Sequence, residues 1–406
     1  MRVLFLSHRF PYPPTFGSKV RAFNMIRHLA RQHEVTVMSL VRSRDEESEA
    51  HDIAPLCHEH HAFRVHNVVQ AAKIAAALPT RTTASEAFFH SAALQRAIDR
   101  RLASRSFDLI VAHCSAMGRY VERVEGVPKL MDFCDVDSRK WADYVPHKPW
   151  PASLGYAWEA WRLERAERRL AQRFDRVTVA TAGEMETLAA MDVRDRADWF
   201  PNGVDLDYFR PADEQPDADL LTFVGRMDYF PNIKCMVDFC ASVWPKLRRA
   251  RRSLRLQIVG AAPTSEVLAL RRLEGVSVTG PVPDVRPYIR RSALTITPLS
   301  IARGTQNKIL ESMALGVPVV ASGIAAKGVD AVPGEHLLAA DTPDELCDAV
   351  LRLVCDPDER ARLAAAGRAR VQSHHAWPPA MMKLDAIVGR CISTSWPSSA
   401  TVVSAS

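Results

Sequence analysis

Short runs of consecutive apolar residues alternate with longer stretches of helical period along almost the whole chain. In the first half, Val3–Ser7, Glu34–Leu40, Phe107–Ala112, Pro128–Met131 and Arg176–Ala180 read as strands. Helical periodicity fills the intervals, most clearly over Ser18–Arg31, Glu86–Ser104 and Trp158–Arg173. The second half repeats the pattern, with strands at Leu221–Gly225, Leu254–Gly260, Val276–Thr279, Leu294–Pro298 and Val317–Ala321, and closing helices at Pro343–Cys355 and Pro357–Val371. Strands that are apolar throughout, rather than alternating, are buried on both faces. With helices between them they predict parallel sheets. Two such series predict an α/β protein of two doubly wound, Rossmann-like domains.

The seam falls near residues 201–219, where "PNGVDLDYFRPADEQPDAD" is rich in Pro and Asp and poor in aliphatics. The expected division is an N-terminal domain over 1–203 and a C-terminal domain over 204–376. The tail from Ser393, "STSWPSSATVVSAS", has the composition of a disordered segment.

Composition changes this picture little. The chain has 406 residues, 47% hydrophobic and 25% charged, enough for two cored domains. A net charge of +6 suits anionic ligands or an anionic membrane surface, but no basic-aromatic stripe or recognition helix points to nucleic acid. The eight cysteines form no C-x-x-C pair, which argues against a metal cluster or a disulfide framework and for reduced thiols in the cytoplasm. The apolar N-terminal run is too short for a signal peptide, and no stretch approaches a membrane span. The run Ala71–Leu78 holds Lys73 and stops at Pro79.

Ligands of such sheets bind beyond the carboxyl ends of the strands, so the residues that follow each strand are the candidates. After the first strand, Gly17 stands just before a predicted helix, either as an anion-approach glycine or as a simple strand-to-helix turn. His113 follows Phe107–Ala112, either as a substrate contact or as a locally bonded strand end. "DFCDVDSRKW" offers Asp132, Asp135 and Asp137; its D-x-D pattern recurs at Asp205 and Asp207, so a metal role is disfavoured against a cleft-lining or structural one. In the second half, Arg226 ends a strand where a guanidinium can hold a diphosphate bidentately. Gly304 and Thr305 are expected to open a helix whose N-terminus suits phosphate. Lys308 and Glu311, three apart, share a face of that helix, as a ligand-facing pair or as an ion-paired surface.

"FPNGVDLDYFRP", "FVGRMDYFPN", "LQIVGAAP", "VTGPVPDVRPYI" and "KILESMALGVPVVAS" stand in this order. Together they resemble a retaining GT-B glycosyltransferase of family four, over roughly residues 1–390. "PYPPTFGSKVRAFNMIRHLA" and "DFCDVDSRKWADY" resemble more narrowly the sugar transferases associated with the PEP-CTERM/exosortase system of bacterial exopolysaccharide loci. The resemblance implies two Rossmann-like domains facing a cleft, with a C-terminal helix of about 377–392 returning to the first. It implies a hexosyltransferase that retains anomeric configuration, uses a nucleotide-sugar as substrate, and needs no cofactor or metal. The acceptor would be a glycan, lipid-linked, with peripheral contact at the cytoplasmic face of the inner membrane. The helix Trp158–Arg173, rich in arginine and carrying Trp158 and Trp161, would supply that contact or be a solvated surface helix.

Residue by residue, the resemblance places Arg226 on the donor diphosphate, Val282 in the loop meeting the base, and Glu311 on the ribose. Gly304 and Thr305 would offer N–H groups, Gly17 would lie near the diphosphate and His113 near the reacting sugar. Two positions depart from the pattern. Arg303 stands where the motif has its first glutamate, and Asn232 where a lysine is usual. An arginine accepts no hydrogen bond but holds phosphate, so Arg303 and Lys308 are expected to supply the missing charge. The rival functions are a non-hydrolysing nucleotide-sugar epimerase and an inactive GT-B scaffold, the latter favoured by Arg303.

Overall fold

The computed structural model describes residues 1–14, 17–104, 106–212 and 214–395. The chain divides into two compact units, one of Met1–Pro201 together with the segment from Met381, the other of Asn202–Ala380.

The first unit is built on a seven-stranded sheet of β1 (Arg2–Ser7), β2 (Glu34–Val41), β3 (Glu59–Arg64), β4 (Leu109–His113), β5 (Lys129–Cys134), β6 (Arg176–Val179) and β7 (Ala197–Trp199), in the order β3-β2-β1-β4-β5-β6-β7. Every pairing is parallel. Strands β1, β2 and β4 are buried almost throughout, as their unbroken apolar runs require. The second unit holds β8 (Asp217–Val224), β9 (Arg255–Val259), β10 (Val276–Val278), β11 (Ser292–Thr297), β12 (Val319–Ala321) and β13 (Leu338–Ala339), ordered β10-β9-β8-β11-β12-β13 and again parallel. Both sheets are thus doubly wound and Rossmann-like, as the alternating pattern predicts.

Strand order reverses once in each sheet, between β1 and β4 and between β8 and β11. In open parallel sheets the space beyond such a reversal is where ligands enter, because the two flanking connections leave to opposite faces.

Three strands were not predicted: β3, β7 and β13. β3 reads "EHHAFR" and is only half-buried along its length; β7 and β13 are edge strands of three and two residues. The predicted helix Glu86–Ser104 is two helices, Ala84–Phe88 and Ala92–Ser104. Between them the Tyr120 hydroxyl donates to the Phe89 carbonyl and accepts from the Ser91 amide, so a side chain distant in sequence fills the break.

The last helix runs Trp377–Ser395, past the point at which a disordered tail is predicted to begin, and residues 396–406 of that tail lie outside the described residues. From Met381 it packs with the first unit: Asp385 meets His28 at 2.8 Å, Arg390 donates to Asp198 at 2.8 Å, and Lys383 lies 4.2 Å from the Trp199 ring centroid.

Candidate functional site

Strand β8 runs out into Gly225 and Arg226 at the reversal point of the second sheet. A Cβ on Gly260, which follows β9, would come within 1.8 Å of the Gly225 carbonyl oxygen, so only glycine lets the two strand ends approach. A Cβ on Gly225 itself would sit 2.7 Å from the Asn232 amide nitrogen and 3.0 Å from the Lys308 amine. The bare backbone at Gly225 therefore lets these two polar side chains pack directly on it.

Asn232, near the start of the Phe230–Ser242 helix, ties this locus together. Its Nδ2 donates to the Arg226 carbonyl at 2.9 Å, and its Oδ1 accepts from Lys308 Nζ at 2.8 Å. Lys308 projects from the Asn307–Ala314 helix, and its amine lies 4.3 Å from the Phe223 ring centroid. Burial there lowers the Lys308 pKa to about 8, with Cys235 and Glu311 pulling the other way. One turn on, burial raises the Glu311 carboxyl to about 7, and Lys308 opposes that shift. Each charge partly offsets the cost of burying the other.

Arg226 takes a different posture. Its guanidinium is half-exposed and folded back on Asp228, Nε to Oδ1 at 3.0 Å and Nη2 to Oδ2 at 2.6 Å. Arg226 and Lys308 belong to one locus, joined through Asn232, but in this state the guanidinium is held by a carboxylate.

The predicted helix opening at Gly304 is not observed. The helix begins at Asn307, and Gly304 (φ 61°) and Thr305 lie in the loop ahead of it. A Cβ on Gly328 would reach 2.4 Å from the Gly304 carbonyl, so a second backbone packs against this loop. Arg303 is half-exposed beside it, its carbonyl accepting from the Gln306 amide at 3.0 Å. Gly280 has φ 79° and open space where a Cβ would point; Val282, two residues on, is half-buried.

In the first unit, His113 ends β4 and pairs in register with Asp132 of the neighbouring β5, and both are fully buried. His113 Nδ1 bonds Asp132 at 2.8 Å and Nε2 lies 3.2 Å from the Ser18 carbonyl. Asp132 also accepts two bonds of 2.9 Å from the Arg21 guanidinium and one of 2.8 Å from the Thr178 hydroxyl. Arg21 is itself fully buried, stacked 3.6 Å from the Phe200 ring centroid and bonded to the Phe200 carbonyl. Although burial pushes the other way, Arg21 and His113 hold the Asp132 carboxyl well below the usual range. Of the two readings of His113, this geometry is that of the locally bonded strand end: the side chain has no exposed surface, and both ring nitrogens are engaged.

Gly17 is the first residue of the Gly17–Leu29 helix. Asp135 is pushed up to about 6 by burial, and Asp137 lies 3.5 Å from Lys140. Among the described residues no group of three or more His, Cys, Asp or Glu is placed to hold a metal ion.

Sequence reasoning missed the bridge made by Asn232, which appeared only as a departure from a motif, and it missed Asp228. The latter had a local signal, since a carboxylate two residues after an arginine is within reach of the guanidinium.

Residues 16–203 match the family described as "Glycosyl transferase 4-like domain", and residues 218–356 match "Glycosyl transferases group 1". A GDP-mannose-dependent monoacylated alpha-(1-6)-phosphatidylinositol monomannoside mannosyltransferase of Corynebacterium glutamicum is 28% identical over 205 residues, 44% of this chain and 52% of that protein. A GDP-mannose-dependent alpha-(1-6)-phosphatidylinositol monomannoside mannosyltransferase of Mycobacterium tuberculosis is 30% identical over 46% of this chain and 54% of its own. The chain thus spans about half the length of the curated relatives it matches. Among solved structures, Anabaena HepE in complex with UDP and glucose superposes with a TM-score of 0.69 at 12% identity, covering 96% of this chain and 99% of that one. Sucrose-phosphate synthase from Thermosynechococcus elongatus gives 0.70 at 16% identity, covering 97% and 100%. At these identities the likeness is one of fold.

Proposed function

We propose that this chain, a GT-B protein made of a glycosyl transferase 4-like domain and a glycosyl transferase group 1 domain, moves a hexosyl group from a nucleotide-sugar to a glycan acceptor with retention of anomeric configuration. The observation that carries the reading is the cationic locus at the β8/β11 reversal point, where Asn232 joins the buried Lys308 amine to the strand end at Arg226. In the transfer, the C1–oxygen bond to the diphosphate breaks and the acceptor oxygen bonds C1. The acceptor proton leaves on the departing phosphate oxygen. Charge thus builds on the diphosphate, and stabilising that charge is the main task left to the protein.

Lys308 suits the task because its pKa of about 8 leaves it protonated at neutral pH yet poorly solvated. An arriving diphosphate supplies the counter-charge that burial withholds. Arg226 exchanges the Asp228 carboxylate for phosphate oxygens, a swap between two bidentate anions. Arg303, placed where related motifs carry a glutamate, adds a phosphate contact or admits an acidic sugar. Glu311 holds the ribose hydroxyls, Val282 and its loop meet the base, and Gly304 and Thr305 offer backbone N–H groups. Fixed cations take the part that a divalent metal plays elsewhere.

The acceptor we assign is lipid-linked, in bacterial exopolysaccharide assembly of the PEP-CTERM/exosortase type. Support comes from the motif resemblance and from two relatives whose names describe phosphatidylinositol mannosides. A thermal-shift panel of UDP-, GDP- and ADP-sugars with and without EDTA identifies the donor, since only a true ligand raises the melting point. Arg226→Ala is expected to lower turnover by about 100-fold; near-wild-type turnover would overturn the assignment. Arg303 favours one other reading, a nucleotide-binding scaffold. That reading predicts a thermal shift with a donor and no transfer or hydrolysis.

A further inference from the structure

A buried polar atom left without a partner costs more than a typical hydrogen bond returns, so each one raises the question of what satisfies it. Two such atoms lie at the carboxyl end of the first sheet, past the buried Asp132 cluster. Asp135 stands one residue after β5, and its Oδ1 is buried with no hydrogen-bond partner among the described residues. His8 stands one residue after β1, and its Nδ1 is in the same condition. Strand β4 runs between β1 and β5, and the ring of its last residue, His113, lies 6.2 Å from the His8 ring. Burial, then the charges of Arg9, His113 and Lys140, lower the His8 pKa. Burial raises Asp135, and Lys140 is the first charge to oppose that rise. Both atoms are thus within reach of the same lysine.

The local structure spares Asp135 from other work. An aspartate just ahead of a helix ordinarily caps it. The Asp137–Tyr144 helix has Val136 at its cap and no side-chain cap bond from it. Instead Glu167, from the Ala152–Arg173 helix, accepts from the Ser138 amide at 3.1 Å, and Glu184 accepts from the Val136 amide at 3.3 Å. Two carboxylates distant in sequence hold the loop. Asp137 is occupied by Lys140 at 3.5 Å and by the Ser115 hydroxyl at 3.4 Å.

The chemistry here suits a hydroxyl and not an anion. After burial, Asp137 leads in pushing up the Cys114 thiol and Asp135 in pushing up the Cys134 thiol, so the field at these strand ends is negative. The nearby cations are already met, Lys140 by Asp137 and Arg21 by Asp132. A carboxylate oxygen only accepts, whereas a hydroxyl both donates and accepts, so one hydroxyl serves Asp135 and the His8 ring together. Trp141, four residues after Asp137 and on the same helix face, is half-exposed, and its ring lies 5.1 Å from the Tyr156 ring. An aromatic surface with a few polar groups beside it is how proteins hold a pyranose.

We propose that Asp135, with His8 and Trp141, selects a neutral, hydroxyl-bearing sugar residue as the acceptor and rejects one that presents a carboxylate or phosphate at this position. The sugar's role as acceptor rests on the proposed transferase activity; its binding at Asp135 does not.

Saturation-transfer NMR of the full chain tests this, with the methyl α-glycosides of mannose, glucose and galactose as neutral probes and methyl α-glucuronide as the anionic one. At least one neutral glycoside is expected to bind. Asp135→Ala should weaken its Kd by about tenfold or more, the scale of a hydrogen bond to a charged group, while the melting temperature holds, since Oδ1 has no partner to lose. The glucuronide should bind at least about tenfold more weakly than the glucoside, and Asp135→Asn should narrow that gap by removing the charge. His8→Phe keeps a ring against Phe89, 5.0 Å away, but deletes Nδ1; an expected loss of about fivefold carries the test if Asp135→Ala fails to fold. The proposal is overturned if no neutral glycoside binds, if both variants leave binding unchanged, or if the glucuronide binds as tightly as the glucoside. A donor-induced thermal shift without glycoside binding sinks this inference alone. Glycoside binding that Asp135→Ala weakens, with no shift from any donor, supports the sugar site and sinks the transferase reading.

Discussion

Each sheet reverses its strand order once, and the two reversal points hold opposite kinds of charged cluster. At the first, where the end of β4 lies beside β1, the polar groups are spent on one another: Asp132 of the adjoining β5 binds Arg21, His113 and Thr178, and no surface of His113 or Asp132 remains. Beyond β8 and β11 the groups are only loosely committed. Lys308 has one amide oxygen within bonding distance, Glu311 is raised to about 7, and Arg226 leans on an exposed aspartate. Position in the topology alone does not make a ligand site. What separates the two is whether the charges have already found partners inside the unit.

The largest expected effect comes from breaking the sealed cluster. Asp132→Ala leaves Arg21 as a buried charge without its carboxylate and His113 without an acceptor. Removing one partner of such a buried pair typically costs about 3–5 kcal/mol. Denaturant unfolding should record a loss of that order. A loss below about 1 kcal/mol would mean that water reaches Arg21 and the cluster is not sealed.

The open locus should respond in the other currency. Lys308→Met is expected to lower turnover by about 100-fold or more, as removal of one charge-stabilising donor does elsewhere. Its stability should change less than that of Asp132→Ala, because relief from burying a poorly solvated amine offsets the loss of the counter-charge to Glu311 and of the donor to Asn232. Urea midpoints and initial rates measured side by side separate the two clusters. A Lys308→Met protein that loses stability and keeps its rate would invert the comparison.

Much of this contrast lies beyond a reading along the chain. The strands that position both clusters are legible because buried parallel strands are apolar throughout. β3 is not, because its half-buried "EHHAFR" lacks such a run. His113 and Arg226 both looked like strand-end candidates. The facts that distinguish them are contacts across 19 and 111 residues for Asp132 with His113 and Arg21, and across 76 residues for Asn232 with Lys308. Arg303, Gly304 and Thr305 are legible as a strand-to-helix connection, but the helix starts later than their spacing suggests, at Asn307, because a glycine at positive φ continues the loop.

The same burial physics should surface as two different pH dependences. In the first unit Glu167, fully buried and accepting from the Ser138 amide, is raised from 4.5 to about 8 by burial. Its folded pKa lies above its unfolded one, so the folded state holds the extra proton. Stability from this group is full below pH 4.5 and is lost as pH rises to about 8. The slope for one proton is at most about 1.4 kcal/mol per pH unit. Glu167→Gln should flatten that decline in a pH series of urea midpoints. In the second unit the readout is affinity. Nucleoside diphosphate binding should weaken as pH rises through about 8, where Lys308 loses its proton, by up to about tenfold per unit. Lys308→Arg should remove that limb.

The smallest effect sharpens the contrast most finely. The Arg226–Asp228 pair is half-exposed on both sides, so water and salt screen it, and its contribution to stability is expected to stay within about 0.5 kcal/mol. Asp228 also competes with any phosphate for the same two guanidinium edges and adds a negative charge where an anion must arrive. Asp228→Ala should therefore leave the melting curve nearly unchanged while tightening nucleoside diphosphate binding by roughly two- to fivefold, on the order of a screened surface charge. Calorimetric titration at two salt concentrations checks both halves, since the gain should shrink as salt rises. Should affinity instead fall by about tenfold, the aspartate is holding Arg226 in its binding posture. The second cluster would then be pre-organised by an internal partner, as the first one is.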